Sequence, residues 1–261
     1  MELPFDLSTG QGAFLAAALF AAAVIRGFSG FGFSAIFIIL AALTTNPLPL
    51  IPVVFSSEIA MTVFQARGIR PHIDRHRAMA LLAGAAIAIM ARLGEQEARL
   101  AISSLILVLS LVLLSGWQLE RPVGRSGNVG VGAIAGIANS AGVGGLPVAA
   151  FLTAQPLPPA VFRATMIVFL TGIDLMALPV MAANGLVGPQ TLTGILLAFP
   201  ILGLGIWAGS RSFKAAPQPL FRRAVVLLLT ALSLINIAKR NRLLTLCFHS
   251  LFTLQLYTSH Q

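Results

Sequence analysis

The sequence predicts an all-α polytopic membrane protein of two repeats, on three observations. The 261 residues are 57% hydrophobic and 10% charged, with a mean hydropathy of +0.91. Soluble domains carry about 25% charged residues, and no water-soluble fold of this length hides so much apolar surface. The apolar runs are continuous, whereas the strands of a membrane barrel alternate. Two runs, at matching places in the two halves, are cut by glycine clusters: Arg26-Gly27-Phe28-Ser29-Gly30-Phe31-Gly32 and Asn139-Ser140-Ala141-Gly142-Val143-Gly144-Gly145. Unwound backbone at membrane depth is tolerated only where it is buried in protein or lines a cavity. Paired interruptions of this kind point to a secondary transporter with its substrate site near the bilayer midplane.

The start, Met1-Glu2-Leu3-Pro4-Phe5-Asp6, is acidic. A signal peptide needs a basic region before its apolar stretch, so residues 12–25 read as mature structure. As helix, 12–25 reaches about 21 Å and 33–43 about 16 Å. Neither crosses alone, and an unbroken 12–43 helix is too long. The segment is either a re-entrant hairpin of half-helices or one tilted, broken span. Ordinary spans follow at 48–66, 77–92 and 98–118, each near the roughly 20 residues that cross a 30 Å core. The polar stretch 119–128 is the linker between a first repeat, 1–118, and a second, 129–238. The second repeat opens with a broken segment at 129–154 and continues with spans at 159–183, 189–210 and 220–238. The tail 239–261 holds the one cysteine, Cys247, and the one tyrosine, Tyr257. It is too short and polar to read as a span.

Arginine placement favours re-entrant hairpins with the N-terminus outside. Eleven basic residues then face the cytoplasm, in loops 67–77, 119–127 and 211–223 and at Arg163, against five outside. If both broken segments cross, the count falls to nine against seven, a poorer fit to the positive-inside rule. A hairpin plus three spans makes each half odd, so the halves are inverted relative to one another. The duplication is visible directly: Thr44-Thr45-Asn46-Pro47-Leu48-Pro49-Leu50 parallels Thr153-Ala154-Gln155-Pro156-Leu157-Pro158-Pro159, and Ala66-Arg67-Gly68-Ile69 parallels Ala183-Asn184-Gly185-Leu186.

Several function classes fall away. The net charge of +9 sits at the ends of apolar runs, as membrane topology demands, which argues against nucleic-acid binding. One cysteine allows neither an internal disulfide framework nor a multi-cysteine metal site. Gly27-Phe28-Ser29-Gly30 spells the G-x-S-G of intramembrane serine proteases, but all four histidines lie in a charged loop or the tail, and a serine nucleophile needs a base beside it. No Walker loop is present. The reading is a non-enzyme that needs no cofactor or metal.

The pattern resembles the sulfite exporter TauE/SafE family of membrane permeases. The second half carries it best, in Gly142-Val143-Gly144-Gly145-Leu146-Pro147, Pro156-Leu157-Pro158 and Arg163-Ala164-Thr165, with Gly203-Leu204-Gly205 and Gly209 in the later helix. The first half departs from it at Phe31 and Phe33, where a plainer glycine run is expected. The resemblance covers roughly residues 10–238. It implies transport of sulfite or small organosulfonates, usually as export.

The candidate substrate-binding residues are Arg26, Ser29, Gly30 and Gly32 in the first half and Asn139, Ser140, Gly142, Gly144, Gly145, Arg163 and Thr165 in the second. Half-helix N-termini present free N–H groups and partial positive charge to an anion. Glycines let it approach the backbone, and a guanidinium fork matches a sulfonate bidentately. Glu58 and Asp174 are the acids well inside spans, and intramembrane carboxylates mark proton relays. The sequence therefore predicts a multi-pass inner-membrane transporter whose partners are a small anion, sulfite or a sulfonate, and the lipid bilayer. The alternative is a non-transporting membrane scaffold or assembly protein, which has no need of charge within its spans.

Overall fold

A computed structural model describes residues 4–90, 119–139, 144–217, 219–232 and 234–235. The expected span 98–118, the tail 239–261, Ser140 and Gly142 lie outside the described residues. No strand occurs among those described. The described residues run α1 (Thr9–Ser29), α2 (Phe33–Ala41), α3 (Ile51–Ile69) and α4 (Arg75–Met90), then α5 (Arg125–Asn139), α6 (Gly145–Thr153), α7 (Pro159–Ala183), α8 (Pro189–Ala215) and α9 at 219–232. Among the described residues, four stretches are long and apolar enough to cross a membrane: Thr9–Ser29, Leu48–His72, Pro159–Ala183 and Pro189–Lys214.

α1 opens with a capping box. Gln11 N donates to Ser8 Oγ at 3.3 Å, and Ser8 N donates to Gln11 Oε1 at 2.9 Å. The helix ends at Gly30, whose φ of 86° only glycine adopts without strain, and Gly32 repeats the left-handed turn at φ 91°. The break thus falls at residues 30–32, beyond Arg26 and Gly27, which stay helical. Twenty-one residues of α1 reach about 31 Å, so α1 crosses on length where a half-helix was expected. The reason is tertiary: Arg26 finds a partner on α3, and Gly27 packs into α8, so neither interrupts the helix.

After the break the chain doubles back. Gln11 Nε2, in the first turn of α1, donates to Thr44 O just past α2 at 2.8 Å, so the start of α1 and the end of α2 lie together. The α5–α6 pair has the same shape. Leu119 N donates to Ala154 O at 2.7 Å, and Val123 N to Gln155 Oε1 at 3.0 Å. Both broken segments are hairpins, with prolines opening the helices that follow them (Pro52 in α3, Pro159 in α7). α5 begins at Arg125, inside the stretch read as linker.

Packing follows the small residues. α1 lies along α8 and α5 along α4. At the first crossing a Cβ on Gly27 would sit 2.9 Å from Ile206 O, one on Gly205 would sit 2.6 Å from Ala23 Cβ, and one on Gly209 would overlap Val24 O. At the second, a Cβ on Gly136 would sit 2.7 Å from Ala85 O, and Gly132 and Gly84 abut Leu81 and Val129 just as closely. Gly205/Gly209 and Gly132/Gly136 are spaced as small-xxx-small contacts that let helix backbones meet in lipid. At the centre α3 packs on α7, with α8 also against α3 and α4 also against α7. The two central helices are antiparallel: Ile69, at the end of α3, clusters with Ala164 and Ile167, near the start of α7.

Candidate functional site

Charge inside an apolar helix is tolerated only when paired, and α1, α3 and α7 meet where three charged residues do this. Arg26 Nη1 lies 3.2 Å from Glu58 Oε1, with 0% and 1% of the two side chains exposed. Arg26 Nη2 donates to Glu58 O and Thr62 Oγ1, each at 3.4 Å. Thr62, one turn after Glu58, places its hydroxyl 2.6 Å from that of Thr171 on α7. Asp174, one turn beyond Thr171 and 1% exposed, lies beside the Glu58 carboxyl. The antiparallel crossing makes this possible, because residues before Thr62 face residues after Thr171. Glu58 and Asp174, read separately from the sequence, are neighbours.

The cluster is incompletely satisfied. Among the described residues, Arg26 Nε and Asp174 Oδ2 are buried without a hydrogen-bond partner. Along the same helices Ser57 Oγ, both amide atoms of Gln65 and Thr165 Oγ1 are also buried without a partner. All belong to α1, α3 or α7. Most buried polar groups in native structures are paired, so this concentration marks the three-helix junction as the polar heart of an apolar fold.

Arg163 stands apart, eleven positions before Asp174 on α7, about 16 Å along the helix. Its Nε and Nη2 donate to Gly27 O at 3.1 and 2.7 Å, Nη2 also donates to Ser210 Oγ at 2.8 Å, and the guanidinium lies 4.6 Å from the centre of the Phe213 ring. It caps the carbonyl end of α1, where a cation complements the helix dipole. Gly30 is held against it: a Cβ there would sit 3.0 Å from Arg163 Cγ and Arg163 O.

The remaining predicted residues shape the breaks. Ser29 Oγ lies 2.8 Å from Ile25 O and 2.9 Å from Phe31 O, and its single proton goes to one of these two carbonyls of its own turn. Gly32 faces Leu228, with 3.4 Å from a Cβ to Leu228 Cδ2. Gly144 is pressed against Asn139, where a Cβ would come within 2.8 Å of Asn139 Oδ1, and Gly145 faces Leu170. Asn139 is buried, and Thr165 is buried on α7. The structure therefore joins Arg26, Glu58 and Asp174 in one cluster and Arg163 with Gly30 in a second.

Sequence reasoning missed Thr62, Thr171, Ser57, Gln65 and Ser210. For the threonines a signal existed. Thr62 is four residues after Glu58 and Thr171 three before Asp174, so each hydroxyl shares a helix face with an acid.

A sequence profile of known families settles the class. The profile described as "Sulfite exporter TauE/SafE" matches residues 14–235. The chain belongs to the sulfite exporter TauE/SafE family. Members of the TauE/SafE family are membrane transporters of the sulfite and sulfonate type and are not enzymes, in keeping with the membrane-crossing helices found here. No curated protein and no solved structure matches the chain.

Proposed function

We propose that this protein exports a small oxyanion, sulfite or an organosulfonate, across the inner membrane, and that Arg26, Glu58 and Asp174 form its anion-and-proton switch. The observation that carries the reading is the meeting of Glu58 and Asp174, one acid from each half, beside a single buried arginine. Two adjacent buried carboxyls beside a single guanidinium do not both carry charge, so in this reading the resting cluster is neutral: one guanidinium and one carboxylate. A monovalent oxyanion that displaces Glu58 from Arg26 leaves the junction neutral only if a second proton arrives with it, and in this reading that proton reaches Glu58 through Asp174, whose Oδ2 is unpartnered. Anion and proton then move together, driven outward by the anion's concentration inside. Arg26 offers the anion its planar fork, and the unpartnered groups of Ser57, Gln65 and Thr165 offer hydrogen bonds along α3 and α7.

The same reading makes the two halves inverted repeats. Supporting it, α1–α8 and α5–α4 exchange places if the halves are swapped, as do α3–α8 and α7–α4, while α3–α7 maps onto itself. A two-fold axis relating antiparallel α3 and α7 runs across them, and therefore within the membrane plane. The glycine breaks then flank the junction as hinges, with Gly144 packed on Asn139 and Gly145 on Leu170.

Flux of labelled sulfite and sulfoacetate into liposomes bearing the purified protein tests this. Saturable flux with the wild type, lost with Arg26→Ala although the variant inserts, is the expected result. Absence of flux of either anion by the wild type would sink it.

A further inference from the structure

We infer that Arg163 is a strap that fastens the α1–α8 pair to α7, and that its release opens the break at residues 30–32 to solvent. The inference rests on the transport reading of the Arg26 junction, because the turn that Arg163 holds is the one that carries Arg26.

The break itself creates the need for this arginine. In a continuing helix Gly27 O would accept from Phe31 N. The chain leaves the helix at Gly30, and Phe31 N turns to Ser29 Oγ at 3.4 Å. Gly27 O is then a buried helix-end carbonyl. Arg163 supplies its donors, through Nε and Nη2 at 3.1 and 2.7 Å. A buried carbonyl left without a donor is costly, and hydration relieves the cost. Loss of Arg163 therefore favours a state in which water reaches Gly27.

The same guanidinium holds α8, where Arg163 Nη2 donates to Ser210 Oγ at 2.8 Å. α1 and α8 meet backbone to backbone at Gly27, Gly205 and Gly209, so they move as one body. Arg163 ties that body to α7, and Arg26 ties it to α3 through Glu58. With the two turns of similar sequence 109 positions apart, the counterparts of Arg26 and Arg163 are Ala135 and Val54. Neither fastening is repeated at the α4–α5 pair.

Aromatic rings close the space around the strap. The centroids of Phe31 and Phe162 lie 6.2 Å apart, those of Phe162 and Phe221 5.7 Å, and those of Phe28 and Phe221 5.5 Å. These rings join α1 and the break to α7 and α9. Phe162 and Phe221 also line a cavity of about 260 Å³, whose lining includes the exposed Pro156 and Pro158. Movement of the α1–α8 body draws Phe28 and Phe31 away from Phe162 and Phe221, and joins this cavity to the break.

Thiol reactivity of the full chain in detergent tests the strap, in a Cys247→Ser background. No substrate is added, so the result does not depend on which anion is carried. Ser29→Cys is the reporter, at a position 1% exposed in the native chain, and the reagent is a methanethiosulfonate bearing a sulfonate. Thr191→Cys, at a 3% exposed position near the other end of α8, reports general loosening. Arg163→Met keeps the stem that packs on Gly30 and removes the donors. It is expected to raise the labelling rate of Ser29→Cys by about tenfold or more and to leave Thr191→Cys unchanged. Ser210→Ala, which leaves the arginine in place, is expected to give a smaller rise. Arg163→Lys keeps a charged donor and is expected to restore protection in part. An unchanged Ser29→Cys rate in both Arg163→Met and Ser210→Ala, or equal acceleration at Thr191→Cys, would overturn the inference. Absent sulfite flux alongside the expected labelling would remove the transport reading and keep the strap.

Discussion

The hydroxyl oxygens of Thr62 and Thr171 lie 2.6 Å apart, and the two residues are 109 positions apart in the chain. Pro47 and Pro156, in the two turns of similar sequence, are also 109 apart. In the proposed inverted repeat, with the halves offset by 109 positions, Thr62 touches its own counterpart and sits on the axis relating the two halves. If the halves rock about that axis, this contact moves least. In a Cys247→Ser background, Thr62→Cys/Thr171→Cys is expected to form a disulfide on oxidation and still exchange substrate. Full loss of exchange on oxidation, restored by reductant, would place the pivot elsewhere.

The proposed inverted arrangement fixes sides. Pro4→Cys and Val187→Cys are expected to react with an impermeant thiol reagent added outside, whereas His72→Cys and Lys214→Cys react only once the cytoplasmic face is opened. Labelling of positions 72 and 187 from the same side would contradict it.

Stability should expose the ion pair. Arg26→Ala leaves a buried carboxylate uncompensated, a loss of about 3–5 kcal/mol. Arg26→Ala/Glu58→Gln removes the orphaned charge as well and is expected to melt well above Arg26→Ala alone. If the double variant melts lower than the single, Glu58 is held by something other than Arg26.

Much of the fold was legible in the sequence, because length and hydropathy determine helices in a membrane and glycine clusters determine where they break. The hairpins at Gly30–Gly32 and before Gly145 fall where the clusters do. The extent of α1 was not legible. Arg26 reads locally as a charge that ends a helix, and only Glu58, 32 residues on, neutralises it. The candidate site was legible as separate residues: Arg26, Glu58 and Asp174 each stood out as charge in apolar surroundings. Their meeting depends on an antiparallel crossing set by tertiary packing, which no local pattern encodes. Arg163 drew notice for the same reason as Arg26, yet its guanidinium caps the carbonyl end of α1.

Helix contact through glycine gives a further prediction. A side chain on Gly209 would overlap Val24 O, and α1 cannot move away without losing the Gly27 contact. Gly209→Val is expected to cost about 1–3 kcal/mol or more by overpacking, read as a lower melting temperature in detergent. Gly185→Ala is the contrasting case: Gly185 has nothing within 4 Å of a Cβ, and its φ of 72° is the source of any loss. Equal melting of Gly209→Val and wild type would mean α1 and α8 do not pack this way.

The proton switch at Glu58 and Asp174 is tested most directly by flux of labelled sulfite in liposomes under an imposed pH gradient, comparing wild type with Asp174→Asn. An amide at 174 cannot take up a proton but fills the same space. The account predicts that the pH gradient drives sulfite accumulation by the wild type, that Asp174→Asn abolishes this, and that downhill exchange persists in the variant. Gradient-driven accumulation by Asp174→Asn at the wild-type rate would contradict it and make the acid pair a structural element.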